Sequence, residues 1–331
     1  MLDNHGDMKA NRLMFTLLLL LSAAVSQMPA QQSEADHKLM AEIRAKAEKG
    51  DAQSQFELGL AFNFGTLGLA MDVVEAVKWY RKAAEQNHPQ AQCTMGVCYD
   101  QGQGVAKDAV EAVKWYRKAA EQNYAWAQCL LAASYAEGDS LAKDYVEAVK
   151  WYRRAAEQNS AKAKFSLAVC YKNGNGVEKD YKKALDWYHK AAEQGEAEAQ
   201  SHLGFMFKFG FGTTADLDEA LKWHTKAANL GNAEAQSELG LRYYSGQGVA
   251  KDEVEAVKWY RKAADQNFAQ AQYNLGVCYY QGRGVPKDYV EGYRWWLLAA
   301  AQGDENAKKF ITKLEGVMTR DQIADGQRLA R

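Results

Sequence analysis

Proline is scarce: there are 3 in 331 residues. With so few helix breakers and so much Ala, Glu, Lys and Gln, the composition favours helix. An excess of one charge is missing too. Lys+Arg is 41 and Asp+Glu is 42, a formal net charge of -1. That balance gives no electrostatic footprint for nucleic acid and no basic face for an anionic membrane. The 6 histidines are scattered at His5, His37, His88, His189, His202 and His224. No two stand three or four residues apart, so metal-ligand spacing is absent and the histidines are expected at the surface or in loops. No metal and no cofactor is expected.

Long apolar runs are lacking, with one exception. Leu13–Val25 is apolar but for Thr16 and Ser22, follows the positive charges of Lys9 and Arg12, and leads to the small residues Ala24, Ser26 and Ala30. This is the layout of a secretory signal peptide over residues 1–30, with cleavage expected after Ser26 or Ala30. Met8 is an alternative start, because Met1–Asp7 is an acidic leader. The run falls short of the ~20 residues a membrane span needs. No Cys follows it, which argues against lipid anchoring. The mature chain is therefore expected in the periplasm or outside the cell.

What the sequence has in abundance is itself. Trp79, Trp115, Trp151, Trp187, Trp223, Trp259 and Trp295 are each 36 residues apart. VEAVKWYRKAAEQN at Val74–Asn87 recurs unchanged at Val110–Asn123, and with one difference at Val146–Asn159 and at Val254–Asn267. A fixed period of this length marks a stacked array. Each copy resolves into two helices. Helix A, such as Ala91–Gln101, carries small and apolar residues at helical spacing. Gly102 and Gly104 break it, and helix B follows from Val110 to Asn123. Asp72, Asp108, Asp144, Asp180, Asp216, Asp252 and Asp288 are expected to N-cap helix B. A Glu three residues on, as at Glu75 and Glu111, suggests a capping box, broken by Lys183 in the fourth copy. Helix B is expected to end at Asn87, Asn123, Asn159, Gly195, Gly231, Asn267 and Gly303, residue types that accept the left-handed conformation.

Packing accounts for the other regular positions. Gly59, Gly96, Ala132, Ala168, Gly204, Gly240 and Gly276 are small, so that helix B can approach helix A closely. The Trp–Tyr pair fills the space between neighbouring copies. The tryptophans are thus expected in the core and not in a ligand cage, since a lone helix pair cannot bury this much apolar surface.

The pattern A-x-x-x-L-G-x-x-Y-x-x-G-x-G-V-x-K-D-x-x-E-A-x-x-W-Y-x-K-A-A, nearly whole at Ala235–Ala264 and Ala271–Ala300, resembles the Sel1-like repeat, a relative of the tetratricopeptide repeats. The resemblance implies an all-α, right-handed α-solenoid of about seven Sel1-like repeats over residues 52–303. Residues 36–51 are read as an N-terminal capping helix and 304–331 as C-terminal capping helices, the last N-capped by Thr319 with Gln322 three on. Departures are local: an extra loop residue in Gly65–Ala70, Ser140 for a loop glycine, and His224 for the Tyr after Trp223.

Chemistry is hard to find. The loop glycines, such as Gly246/Gly248 and Gly282/Gly284, lack the following Lys-Ser/Thr of a phosphate loop and precede an Asp, so they are turn glycines. Cys93, Cys129, Cys98, Cys170 and Cys278 fall at two repeat phases. Equivalent positions in adjacent copies should lie about 8–10 Å apart, beyond the ~7 Å a disulfide tolerates. Cysteine-rich members of the family carry a Cys pair within each repeat, a pattern missing here. All five are read as buried small apolar residues.

Variation within the repeat points to surface that packing leaves free. Gln90, Cys93, Val97, Asp100 and Gln101 share one face of helix A. By resemblance to tetratricopeptide arrays this face lines a concave groove. Its equivalents include Phe56, Trp126, Phe165, Phe205, Phe209, Tyr244, Tyr273 and Tyr280, interspersed with Lys162, Lys172, Lys208 and Glu234. Aromatics among polar groups suit a peptide or protein partner, although some could equally pack between neighbouring A helices. The reading is an exported protein-interaction scaffold. The alternative is a β-lactam-binding or hydrolysing enzyme, as described for some proteins resembling this one; no zinc-ligand cluster supports it.

Overall fold

The computed structural model describes residues 30–331. The expected signal peptide, but for Ala30, lies outside the described residues. Among these there are 17 helices and no strand. Helix α1 is Ala30–Glu48. Three helix pairs follow: α2 Ala52–Phe64 with α3 Val73–Glu85, α4 Pro89–Gln101 with α5 Ala109–Glu121, and α6 Ala125–Glu137 with α7 Tyr145–Glu157. Four more are α8 Ala161–Asn173 with α9 Tyr181–Ala192, α10 Ala197–Phe209 with α11 Leu217–Asn229, α12 Ala233–Ser245 with α13 Glu253–Ala264, and α14 Ala269–Gln281 with α15 Tyr289–Ala301. Helices α16 Glu305–Glu315 and α17 Arg320–Leu329 close the chain. The chain divides into two compact units, the first up to Gln158 and the second from Asn159.

The N-terminal helix starts earlier than the expected 36 and ends at Glu48, because Asp51 already caps α2 by accepting from the Ser54 N–H at 2.7 Å. Pro89 opens α4 two residues before the expected Ala91, at the first-turn position where its missing N–H costs nothing.

All seven Asp residues cap the second helix of their pair; Asp72, for example, accepts from the Glu75 N–H at 2.9 Å. The expected capping boxes do not close there. The Asp108 N–H is already spent, donating to the Tyr99 carbonyl at 2.8 Å, and its equivalents do the same. Glu111 therefore has no donor to reach back for, and pairs with Lys114 at 2.8 Å on the exposed face. A complete box forms at α17, between Thr319 and Gln322. Asn87, Asn123, Asn159 and Asn267 end their helices with φ between 64° and 69°, in the left-handed region.

Within a pair, contact is close. A Cβ on Gly96 would lie 2.4 Å from the Tyr116 ring. Between pairs, Trp115 packs into the cluster formed by Ala76, Tyr80, Ala84, Met95 and Cys98. Trp115, Trp151, Trp223, Trp259 and Trp295 are buried, with Trp79 and Trp187 half-buried. Lysine covers the ring face a ligand cation would need: the Lys118 ammonium is 4.2 Å from the Trp115 centroid and Lys262 is 3.7 Å from Trp259. These are packing residues.

A glutamine ladder ties neighbouring pairs. Gln92 is buried and donates to the Ala84 carbonyl at 3.1 Å, and its own oxygen accepts from Gln122 at 2.7 Å. Gln128 with Gln158, Gln236 with Gln266, and Gln272 with Gln302 repeat the link. Leu230 interrupts it, and leaves the buried Gln200 Oε1 without a partner. All five cysteines are buried, and no disulfide joins any two of them.

Candidate partner-binding surface on the first helices

The first helix of each pair places its variable residues on one side, and the structure sorts the expected aromatics. Phe56 packs on Tyr80 and stacks on His88, with centroids 5.6 and 5.1 Å apart. Phe165 stacks on His202 at 5.5 Å and meets Tyr188 at 5.8 Å. Tyr273 and Tyr280 both meet Phe310 of α16, at 6.0 and 6.2 Å. These four are half-buried between helices. Cys93 and Cys129, at the same register as Phe56, are buried, so that register faces the neighbouring helix and not open solvent. Trp126 is half-buried at the first turn of α6. The Tyr244 hydroxyl donates to Gln281 at 3.0 Å and accepts from Arg283 at 2.8 Å.

In the second unit the structure gathers an aromatic row. Phe205, Phe209, Phe211 and Tyr181 follow one another at centroid separations of 6.4, 5.8 and 5.1 Å. Phe209 and Phe211 are exposed. Beside Phe205 opens a hollow of about 240 Å³, lined also by Glu234, Ser237, Glu238, Leu241, Phe268, Gln270 and Asn274. Another hollow, of about 300 Å³, lies where α15 meets α17, lined by Leu297, Leu298, Ala301, Gln327, Ala330 and Arg331. No residue of the first-helix face lines it.

Beneath the first hollow is a buried ion cluster. Glu238 receives the Lys208 ammonium at 2.7 Å and lies 3.4 Å from Arg242. Arg242 is 2% exposed and also donates to the Leu217 carbonyl at 3.3 Å. A pair this deep is held because losing either partner would strand the other's charge. Glu234 accepts a 3.4 Å hydrogen bond from Ser201, and burial holds its carboxyl above the usual range. Burial, with Glu198 alongside, raises the Glu196 carboxyl to about 7.

Two histidines correct the sequence reading. His202 stands among rings, and burial lowers it to about 4. His224 is fully buried against Phe205, and neither ring nitrogen has a hydrogen bond of normal geometry. Burial, then the charges of Arg242 and Lys208, push it down to about 3. His224 sits inside and His202 is half-buried, because the rings around them supply apolar walls that a neutral imidazole can join.

Sequence reasoning missed Glu238 and Arg242. The signal was there: where Arg242 stands, other copies have Ala61, Cys98, Ser134, Cys170, Met206 and Cys278. A charge at a core phase of a repeat marks a local device. It also passed over Ser140–Lys143, which has the Ser-x-x-Lys spelling of serine β-lactamases. That tetrad lies in the loop before α7, with no helical turn to bring i and i+3 together, and the Lys143 ammonium sits 4.9 Å over the Tyr145 ring. No group of three or more His, Cys, Asp or Glu among the described residues could hold a metal ion, and no helix there is long and apolar enough to cross a membrane.

The Sel1 repeat pattern matches residues 52–88, 89–124, 127–160, 161–196, 197–232, 233–268 and 269–304. The chain belongs to the Sel1 repeat family. The structure is similar to that of a Sel1 repeat protein from Oxalobacter formigenes, with a TM-score of 0.70 and 33% identity over 88% of this chain and 83% of that one. A protective antigen present in uropathogenic Escherichia coli strains shares 29% identity over 91% of this chain and 84% of its own, with a TM-score of 0.44. The ERAD-associated E3 ubiquitin-protein ligase component HRD3A of Arabidopsis thaliana is 32% identical over 62 residues, which is 19% of this chain and 9% of that protein. Sel1 repeat proteins generally mediate protein–protein interaction, and they are typically scaffolds and not enzymes.

Proposed function

We propose that this Sel1 repeat protein is an exported scaffold, periplasmic or secreted, that binds a peptide or protein segment on the first-helix face of its units. The observation that carries the reading is the contrast within each repeat. Residues common to the copies are consumed by caps, by the Gly–Tyr contacts and by the glutamine ladder. The first-helix face differs from copy to copy, and in the second unit it carries exposed Phe209, followed by exposed Phe211 in the next loop, in line with the Phe205 that edges an open hollow. Clustered exposed aromatics of this kind mark interaction surfaces. The Leu13–Val25 leader supports export.

A photo-crosslinking amino acid placed at Phe209 or Trp126, in cells, tests the site. The control is Lys258, exposed on a second helix. Adducts from the first two positions and none from Lys258 are expected. Adducts only from Lys258 would move the binding surface to the second helices. Osmotic fractionation of the same cells tests export, since retention with cytoplasmic markers would contradict it.

A further inference from the structure

We propose that the hollow between α10, α12 and α14 receives a basic side chain, arginine or lysine, from the partner segment. The inference rests on reading the first-helix face as the binding surface.

Charge is the first argument. Two carboxylates line the hollow, Glu234 and Glu238, and no cation does. Glu238 is answered from the side by Lys208 at 2.7 Å and Arg242 at 3.4 Å. Glu234 has no such answer. The Ser201 hydroxyl donates to it at 3.4 Å, and Lys172, though its charge reaches Glu234, makes no ion pair with it. Glu234 is thus a half-buried carboxyl with no ion-pair partner, and a cation beside it recovers energy lost to desolvation.

Shape is the second argument. Phe205 and Phe268 flank the hollow; the Lys208 ammonium already stands 6.0 Å from the Phe205 centroid, which leaves the Phe268 ring for the stem of Lys or the planar guanidinium of Arg. A volume of about 240 Å³ is below the ~300 Å³ at which small-molecule sites begin. It fits one side chain of a longer segment. Exposed Phe209 and Phe211 continue from Phe205 and would take an apolar neighbour of that side chain.

The test uses displayed random decapeptides selected on the full chain. The best binder is resynthesised with citrulline in place of its arginine, or norleucine in place of its lysine, which removes charge while leaving the protein untouched. Binding is then measured to wild type, Glu234→Gln and Phe209→Ala. The expected result is enrichment of a basic residue beside an apolar one. Neutralising it should weaken binding to wild type about tenfold or more, and Glu234→Gln should no longer distinguish the two peptides. Binders lost on Phe209→Ala but indifferent to peptide charge and to Glu234→Gln would overturn the basic-residue inference and leave the surface standing. Binders indifferent to all three changes, or no binder, would overturn both.

Discussion

Phe205 and His224 exchange volume across one helix pair. Their rings meet edge to face with centroids 4.7 Å apart. Where Phe205 stands, the other copies have Leu60, Val97, Ala133, Val169, Leu241 and Val277. Where His224 stands, they have Tyr80, Tyr116, Tyr152, Tyr188, Tyr260 and Trp296. The fifth copy has moved bulk from its second helix to its first, and so places a large ring at the edge of the hollow.

The exchange predicts strong non-additivity. His224→Tyr alone overpacks against Phe205 and should cost about 1–3 kcal/mol. Phe205→Val alone opens a cavity and should cost about 1–3 kcal/mol as well. The double variant restores the pairing used by the other copies and should recover most of both losses, a coupling above ~1 kcal/mol. Denaturant unfolding of the four proteins measures it, and simple additivity would refute the compensation.

Acid should act through the same imidazole. His224 is depressed to about 3 in the fold, against ~6.5 unfolded. Its contribution is therefore complete above ~6.5, where both states are neutral, and is lost as pH falls toward 3 because the unfolded chain alone takes up the proton. Glu196, raised to about 7, works the other way, gaining stability as pH falls. The informative quantity is thus a difference between variants. Between pH 7 and pH 5 wild type should lose about 2 kcal/mol more than His224→Leu. Parallel profiles would show that the buried imidazole is not the titrating group.

The interrupted ladder offers a stabilising change. Leu230 is exposed, and Gln200 Oε1 lies buried and unpartnered where Gln92, Gln128, Gln236 and Gln272 accept a glutamine N–H. Leu230→Gln should add about 0.5–1.5 kcal/mol, the worth of a hydrogen bond that satisfies a buried acceptor. A rise in thermal midpoint would bear this out; no change would mean that the interface has relaxed around the gap.

Much of the architecture could be read from the 36-residue period. A residue that recurs in register does so for a local physical reason: Asp72 and its equivalents cap, Asn87 and its equivalents turn left-handed, Gly96 admits the Tyr116 ring. The capping boxes were misread because Glu111 is placed correctly for one, and the spacing cannot show that the Asp108 N–H is already occupied by Tyr99. The face was only half legible. Helical spacing put Phe56 and Phe165 on the same side as Phe209, but whether a ring closes onto the next helix depends on its neighbour: His88, which caps the next helix pair, or His202 in the next copy. The Lys208–Glu238–Arg242 cluster was hidden because its members belong to neighbouring repeats and no motif spells it.

The central claim is that the first-helix face carries the partner. It is tested most directly by parallel capture from native envelope extract on wild type, Trp126→Ala, Phe209→Ala and Lys258→Ala. The account predicts one protein retained by wild type and by Lys258→Ala, and reduced about tenfold or more on either aromatic variant, with all four melting midpoints close together. Undiminished capture on both aromatic variants would contradict it. A collapse in the midpoint of Trp126→Ala would instead place that tryptophan in the core.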